Sequence, residues 1–226
     1  MASLAQLLAS HERILVLDAA SGRFQTGLLR AGQPAVWRSN AAEAGKALFQ
    51  DSTAVLDEFG LRLDEIAAFA YCTGPGSMLG IRTVSMALRT WNTLKPRPVY
   101  AFQSLAVAAR AEWHCRPRAF AMIADARRDT WHCQVVAADG MLSPLSRVPA
   151  AALPEGELLT PAHFRAWATP VRPTSICSYD LSALLPLVLH DDLFLESATP
   201  DVFQHEAPEY KKWSAQTHSA ESVSRP

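Results

Sequence analysis

Residues 72–82 read Cys-Thr-Gly-Pro-Gly-Ser-Met-Leu-Gly-Ile-Arg, set between an apolar run and a stretch with helical spacing. A glycine-rich turn at such a place fits a phosphate cradle, a nucleophile elbow or a structural turn. A P-loop requires G-x-x-x-x-G-K-[ST], whose lysine brings charge to the phosphates; here Ile81 and Arg82 follow Gly80. An elbow requires G-x-S-x-G, but Gly76 directly precedes Ser77, and Leu79 replaces the second glycine. No His and Asp partners for Ser77 are identifiable, so a helix N-cap is favoured over a nucleophile. Backbone N–H groups at such a helix start still attract anions.

On the N-terminal side, Arg13 to Asp18, Phe24 to Leu29 and Ala35 to Trp37 read as a three-stranded antiparallel meander broken by "ASG" and "RAGQP". Ala42 to Phe59 switches to helical spacing, with Leu48, Phe49, Val55, Leu56 and Phe59 on one stripe. Ile66 to Cys72 is a strand, and Val84, Ala87, Leu88, Trp91 and Leu94 form a second helical stripe after the turn. "PVYAF" is a strand and Gln103 to Trp113 a helix. The order then restarts: strands at Ala119 to Ala124, Thr130 to Ala137 and Leu145 to Val148, a short helix at Pro161 to Ala168, a strand at Ser175 to Ser178 and a helix at Leu181 to Leu189. An element order that repeats without a sequence repeat predicts two α/β lobes joined near residues 100–117. The polar end, "SAQTHSAESVSRP", is expected to be disordered.

Apolar residues make up 49% of the 226, enough for a sizeable core, and a net charge of −1 gives no global field for holding nucleic acid. Cys72, Cys115, Cys133 and Cys177 form no CxxC pair and read as reduced thiols. The start, "MASLAQLLASHER", lacks a basic region and apolar length, so no signal peptide is read there, and no run suits a membrane span. A cytoplasmic protein is expected.

Metal chemistry finds little support. No two of the seven histidines stand three or four apart on a predicted helix, and HExxH is absent. Asp57-Glu58 and Asp191-Asp192 read as solvated surface. Asp18 sits at the end of the first strand, where actin-like ATPases place a carboxylate near a metal-bound nucleotide. An aspartate at a strand end also simply starts a turn, and Ala19 and Ala20 replace the hydroxyls such a phosphate turn uses, which favours a structural role.

"ILVLDAA", "GPGSMLGIRT", "VYAFQSLAVAA", "MIADARRDTWHCQVV" and "APEYKK" stand in an order and at intervals that resemble the bacterial TsaB (YeaZ) family, over residues 14 to about 212. That family shows LDTS, GPGSFTGLR, SSLEALA, DARRGEVY and PLYLR at these places. The departures are Met78 and Leu79 for Phe and Thr, Ala19-Ala20 for Thr-Ser, Val84 and Thr90 for frequent glycines, Glu43-Ala44-Gly45 where His-Ser is common, and Thr130 for a glutamate.

The resemblance implies an α/β fold of two RNase H-like lobes of the actin-like ATPase superfamily. The expected spans are 1–104 for the first lobe, 105–200 for a smaller second lobe, 201–213 for a terminal segment packing back on the first, and 214–226 for a tail. It implies a non-catalytic subunit that pairs with a TsaD-type ATPase, acts with a TsaE-type ATPase in threonylcarbamoylation of tRNA, and also pairs with itself when alone. Contact with tRNA is expected only through the complex, and ATP or ADP only at the partner or interface. No catalytic or metal residue is assigned. Candidates for a nucleotide contact are Asp18, Gly74, Gly76 and Ser77; candidates for the partner face, on the helices 42–59 and 79–94, are Leu48, Ser52, Val55, Met78, Leu79, Arg82, Met86 and Arg89. Both helices must also cover their own sheet, and periodicity cannot divide core from interface. The rival readings are an independent actin-like ATPase or kinase, a glycoprotease-like peptidase, and a diverged paralogue that pairs with itself.

Overall fold

A computed structural model describes residues 1–170 and 172–204. The chain opens with a short strand β1 (Ala2–Ser3) and helix α1 (Leu4–Ser10), whose start is closed by a reciprocal Ser3–Gln6 capping box. The meander follows as β2 (Ile14–Asp18), β3 (Phe24–Leu29) and β4 (Val36–Asn40). Then come α2 (Ala44–Asp57), β5 (Ala68–Gly74), α3 (Met78–Leu94), β6 (Val99–Gln103) and α4 (Ser104–Cys115). The second half supplies β7 (Phe120–Asp125), β8 (Thr130–Val136), β9 (Ser146–Pro149), β10 (Leu158–Pro161), β11 (Ser175–Cys177), α5 (Leu181–Leu187) and β12 (Asp192–Glu196).

Two sheets carry the same topology. In the first, β4-β3-β2-β5-β6 places an antiparallel meander beside two parallel strands; in the second, β9-β8-β7-β10-β11 repeats that order and those directions. This is the RNase H-like arrangement, present twice in strand order and direction, although the second copy has no α-helix between β9 and β11. Strand β2 is buried along its whole length, which is why it reads as an unbroken apolar run. Its alternation divides two cores: Leu15 and Leu17 face α2 and α3, while Ile14 and Val16 face a layer that holds α1, α4, α5 and the inner face of β7.

Several expectations need correction. No helix forms at residues 161–168; Leu158–Pro161 is instead a strand, held parallel to β7 and β11, with Leu158 and Leu159 buried on its two neighbours' account. The outer face of the second sheet is covered by loops around a 3-10 turn at Ala150–Ala152, with Ile123, Trp131 and Leu153 packed beneath. Leu94, read as part of a buried stripe, is 82% exposed at the last residue of α3. Residues 192–196, within the span expected for the second lobe, belong to the first sheet: β12 pairs antiparallel with β6, and β1 pairs with β12, so the open edge of β6 is covered. The stretch "APEYKK" and the tail 214–226 lie outside the described residues.

Candidate functional site

The turn at residues 74–77 is shaped by backbone contact. Gly74 and Gly76 have φ of 108° and 152°, a region that side chains other than glycine avoid, and the Gly74–Pro75 peptide is cis. The Ser77 N–H donates to the Ala20 carbonyl at 2.7 Å. A methyl group on Gly76 would lie 2.2 Å from that same oxygen, and one on Gly80 would lie 2.5 Å from the Ala19 carbonyl oxygen. The turn after β2 and the turn after β5 are thus pressed backbone to backbone. Ser77 caps α3, its hydroxyl accepting from the Gly80 N–H.

Asp18 is fully buried at the lobe junction. Its carboxylate accepts from the Ala20 N–H at 2.7 Å and from the Tyr179 hydroxyl at 2.5 Å. Burial raises the Asp18 pKa, against the lowering effect of those two hydrogen bonds. Burial also pushes the Tyr179 phenol and the Cys72 thiol well above their ordinary values, and the neighbouring Asp18 carboxylate adds to both. The Phe164 ring stands edge-on to Tyr179 with centroids 4.9 Å apart. Gln25 completes the junction: its amide nitrogen donates to the Tyr179 carbonyl, and its oxygen accepts from the Leu181 N–H. Of the nucleotide candidates, then, Gly74, Gly76 and Ser77 are brought beside the Asp18 turn, but the Asp18 carboxylate is turned inward and stoppered by Tyr179. A carboxylate held this way ties the second lobe to the first.

The partner-face candidates divide along α2 and α3. Leu48, Ser52 and Val55 are buried, because α2 lays this stripe on β3 and on its neighbour α3, and they are corrected to core residues. Met78, Leu79 and Met86 stand 44%, 74% and 59% exposed, and Phe49, from the apolar stripe of the first helix, is 57% exposed. Phe49, Leu79, Arg82 and Met86 surround a groove of about 500 Å³ between the two helices, floored by Leu48, Ala87 and Trp91, while Met78 lies outside it. Arg89 is engaged within the chain: its Nε donates to the Pro200 carbonyl and its guanidinium pairs with Asp201 at 3.0 Å. That pair, with the Phe203 N–H donating to the Thr73 carbonyl, lays residues 200–203 on the first lobe.

No family model matches the sequence, and no curated protein matches it. Among solved structures the chain is similar to YeaZ from Pseudomonas aeruginosa, with a TM-score of 0.61 at 20% identity, over 78% of this chain and 90% of that one. The fold is that of YeaZ. A second structure, described as an uncharacterized protein with similarity to peptidase YEAZ from Pseudomonas aeruginosa, gives a TM-score of 0.60 at 21% identity over 78% and 89% of the two chains. Two RNase H-like lobes on one YeaZ-like chain are what the ordered motifs implied.

Tyr179, Gln25 and Trp167 escaped the sequence reading. Tyr179 lies 161 residues from Asp18 along the chain, and nothing in "SYDLS" marks a hydroxyl that closes a distant carboxylate. Among the described residues no group of three or more His, Cys, Asp or Glu side chains is placed to hold a metal ion, and no helix is long and apolar enough to cross a membrane.

Proposed function

We propose that this chain is a TsaB-type scaffold subunit of a tRNA threonylcarbamoyladenosine complex, pairing with a TsaD-type ATPase through the outer face of α2 and α3. The observation that carries the reading is the exposed apolar strip of Phe49, Leu79 and Met86 along a groove on an otherwise well-buried helical layer. Exposed apolar surface of this kind, rimmed by polar residues, is what a protein partner covers. The YeaZ fold and the five ordered motifs support the family; the inward-turned Asp18 carboxylate, held by Tyr179, supports a role without its own nucleotide chemistry. A TsaE-type ATPase and tRNA join through the partner, and the complex works in the cytoplasm.

Co-expression with the cognate TsaD-type protein tests this. A complex that co-elutes in size exclusion at micromolar concentration, and that Leu79→Glu with Met86→Glu disperses, is the expected result; separate elution of the native chains overturns it. Deleting the gene and digesting total tRNA for mass spectrometry should show loss of threonylcarbamoyladenosine, and an unchanged level removes the tRNA role.

The same strip also serves a second copy of the chain, which keeps the self-pairing paralogue as the second reading. It is distinguished by a homodimer that persists when the cognate partner is present in excess.

A further inference from the structure

We propose that the crevice between the two lobes binds a single-stranded nucleic-acid backbone, with Arg82, Arg127 and Arg165 on its phosphates and Trp167 stacking on a base. The crevice consists of two adjoining cavities of about 410 and 430 Å³ that share Ser77, Leu79 and Arg165. One reaches along the first lobe past Arg23; the other crosses to the second lobe past Arg127 and Trp167. The α3 end with Ser77, Met78 and Leu79 opens into it as well.

Three features point to this ligand. The first is charge. Elsewhere on the surface, arginines such as Arg38, Arg110 and Arg118 pair with carboxylates. Among the described residues Arg23, Arg82, Arg127 and Arg165 form no ion pair, although they converge from both lobes on one crevice whose only lining carboxylate is Glu43. Exposed guanidiniums gathered along one crevice give it a local positive potential that attracts an anion, although the chain as a whole has a net charge of −1. The second is shape. Two cavities in line, with arginines spread along both, exceed what one phosphate needs and suit a strand with several. Asp18, buried and held by the Tyr179 hydroxyl, does not line the crevice, so its carboxylate offers no metal-nucleotide seat there. The third is stacking. Trp167 is 58% exposed at the rim, with the Arg127 guanidinium 4.3 Å from its ring centroid. Its place is fixed by the Asp125 carboxylate, which accepts from the N–H groups of Arg127, Trp167 and Ala168. A tryptophan beside guanidiniums is the platform on which unpaired bases stack.

The crevice meets the proposed pairing groove at the start of α3, where Leu79 and Arg82 line both, while Arg127, Arg165 and Trp167 line the crevice and not the groove; the inference adds a direct strand contact by this chain. The test uses the full chain alone and a fluorescein-labelled single-stranded RNA of about a dozen nucleotides, read by anisotropy across a salt series. Saturable binding is expected, weakened about tenfold or more by R82E/R127E/R165E, with the slope of log K against log salt reduced by about 2 for three contacts at about 0.7 each. W167A should weaken binding and leave that slope unchanged. All four side chains are at the surface, so unchanged thermal melting is expected, and R165E alone serves as the milder variant. Absence of saturable binding, indifference to the arginine changes, or equal affinity for a mononucleotide would each overturn the proposal.

Discussion

At Asp18 a single carboxylate sets a pH dependence. Because burial raises its pKa above the ordinary 3.8, the folded chain keeps the proton to higher pH than the unfolded chain does. Stability from this group is therefore fully present below the unfolded value and is lost as pH rises through the folded one. Asp18→Asn cannot titrate, and its amide can still meet the Ala20 N–H and the Tyr179 hydroxyl. Relative to the native chain it should gain stability as pH rises above the ordinary carboxylate value of 3.8 and through the raised one, read as the difference in urea midpoints. A difference that stays flat would mean that Asp18 keeps an ordinary pKa. A second residue stores strain instead of charge. Arg127, Arg128 and Asp129 all have positive φ, at 65°, 51° and 56°, in the β7–β8 turn. Arg128 is exposed and stands outside the crevice lining, so Arg128→Gly should raise stability by about 0.5–1 kcal/mol in urea unfolding.

At the scale of the element, α2 and α3 each divide into a face that holds the fold and a face that does not. Leu48→Ala, in the sealed layer against β3 and α3, should cost about 2–5 kcal/mol. Leu79→Ala, 74% exposed on the other face, should stay within about 0.5 kcal/mol by the same urea titration. Gly76→Ala belongs here too, since it is the contact between two turns that fails. With φ of 152° and a methyl 2.2 Å from the Ala20 oxygen, the variant must separate the β2 and β5 turns, a loss of about 2 kcal/mol or more. Helical spacing in the sequence marks both α2 and α3, yet it puts Phe49 and Leu48 on one apolar stripe without dividing it, and the two sit on opposite sides of the boundary. A period of 3.6 gives the direction of an apolar arc but not where that arc leaves the sheet.

For the whole molecule, the junction between the lobes is carried by a few polar ties over an apolar layer. Gln25→Ala would leave the Tyr179 carbonyl and the Leu181 N–H buried without partners, at a cost of about 1–3 kcal/mol. Hydrogen exchange should accelerate at Leu181 more than in β5, because the first sheet does not depend on that tie; equal acceleration would mean that the two lobes open as one. One side of the first sheet is also extended at this scale. Strand β12 comes back from the second half of the chain to pair with β6, and the two residues of β1 finish the row.

The sequence alone determined the two meanders, the glycine-rich turn with its cap at Ser77, and the lack of a P-loop motif. These are local properties, written in spacing, backbone freedom and side-chain type within a few residues. It could not determine that residues 158–161 are a strand, since four residues with a proline carry no period, and only the parallel partners β7 and β11 hold them extended. Nor could it separate Leu48 from Leu79, or show that Tyr179 closes Asp18 and that Arg82, Arg127 and Arg165 share one crevice. Those facts join residues distant along the chain, and only packing the two lobes together decides which of them meet.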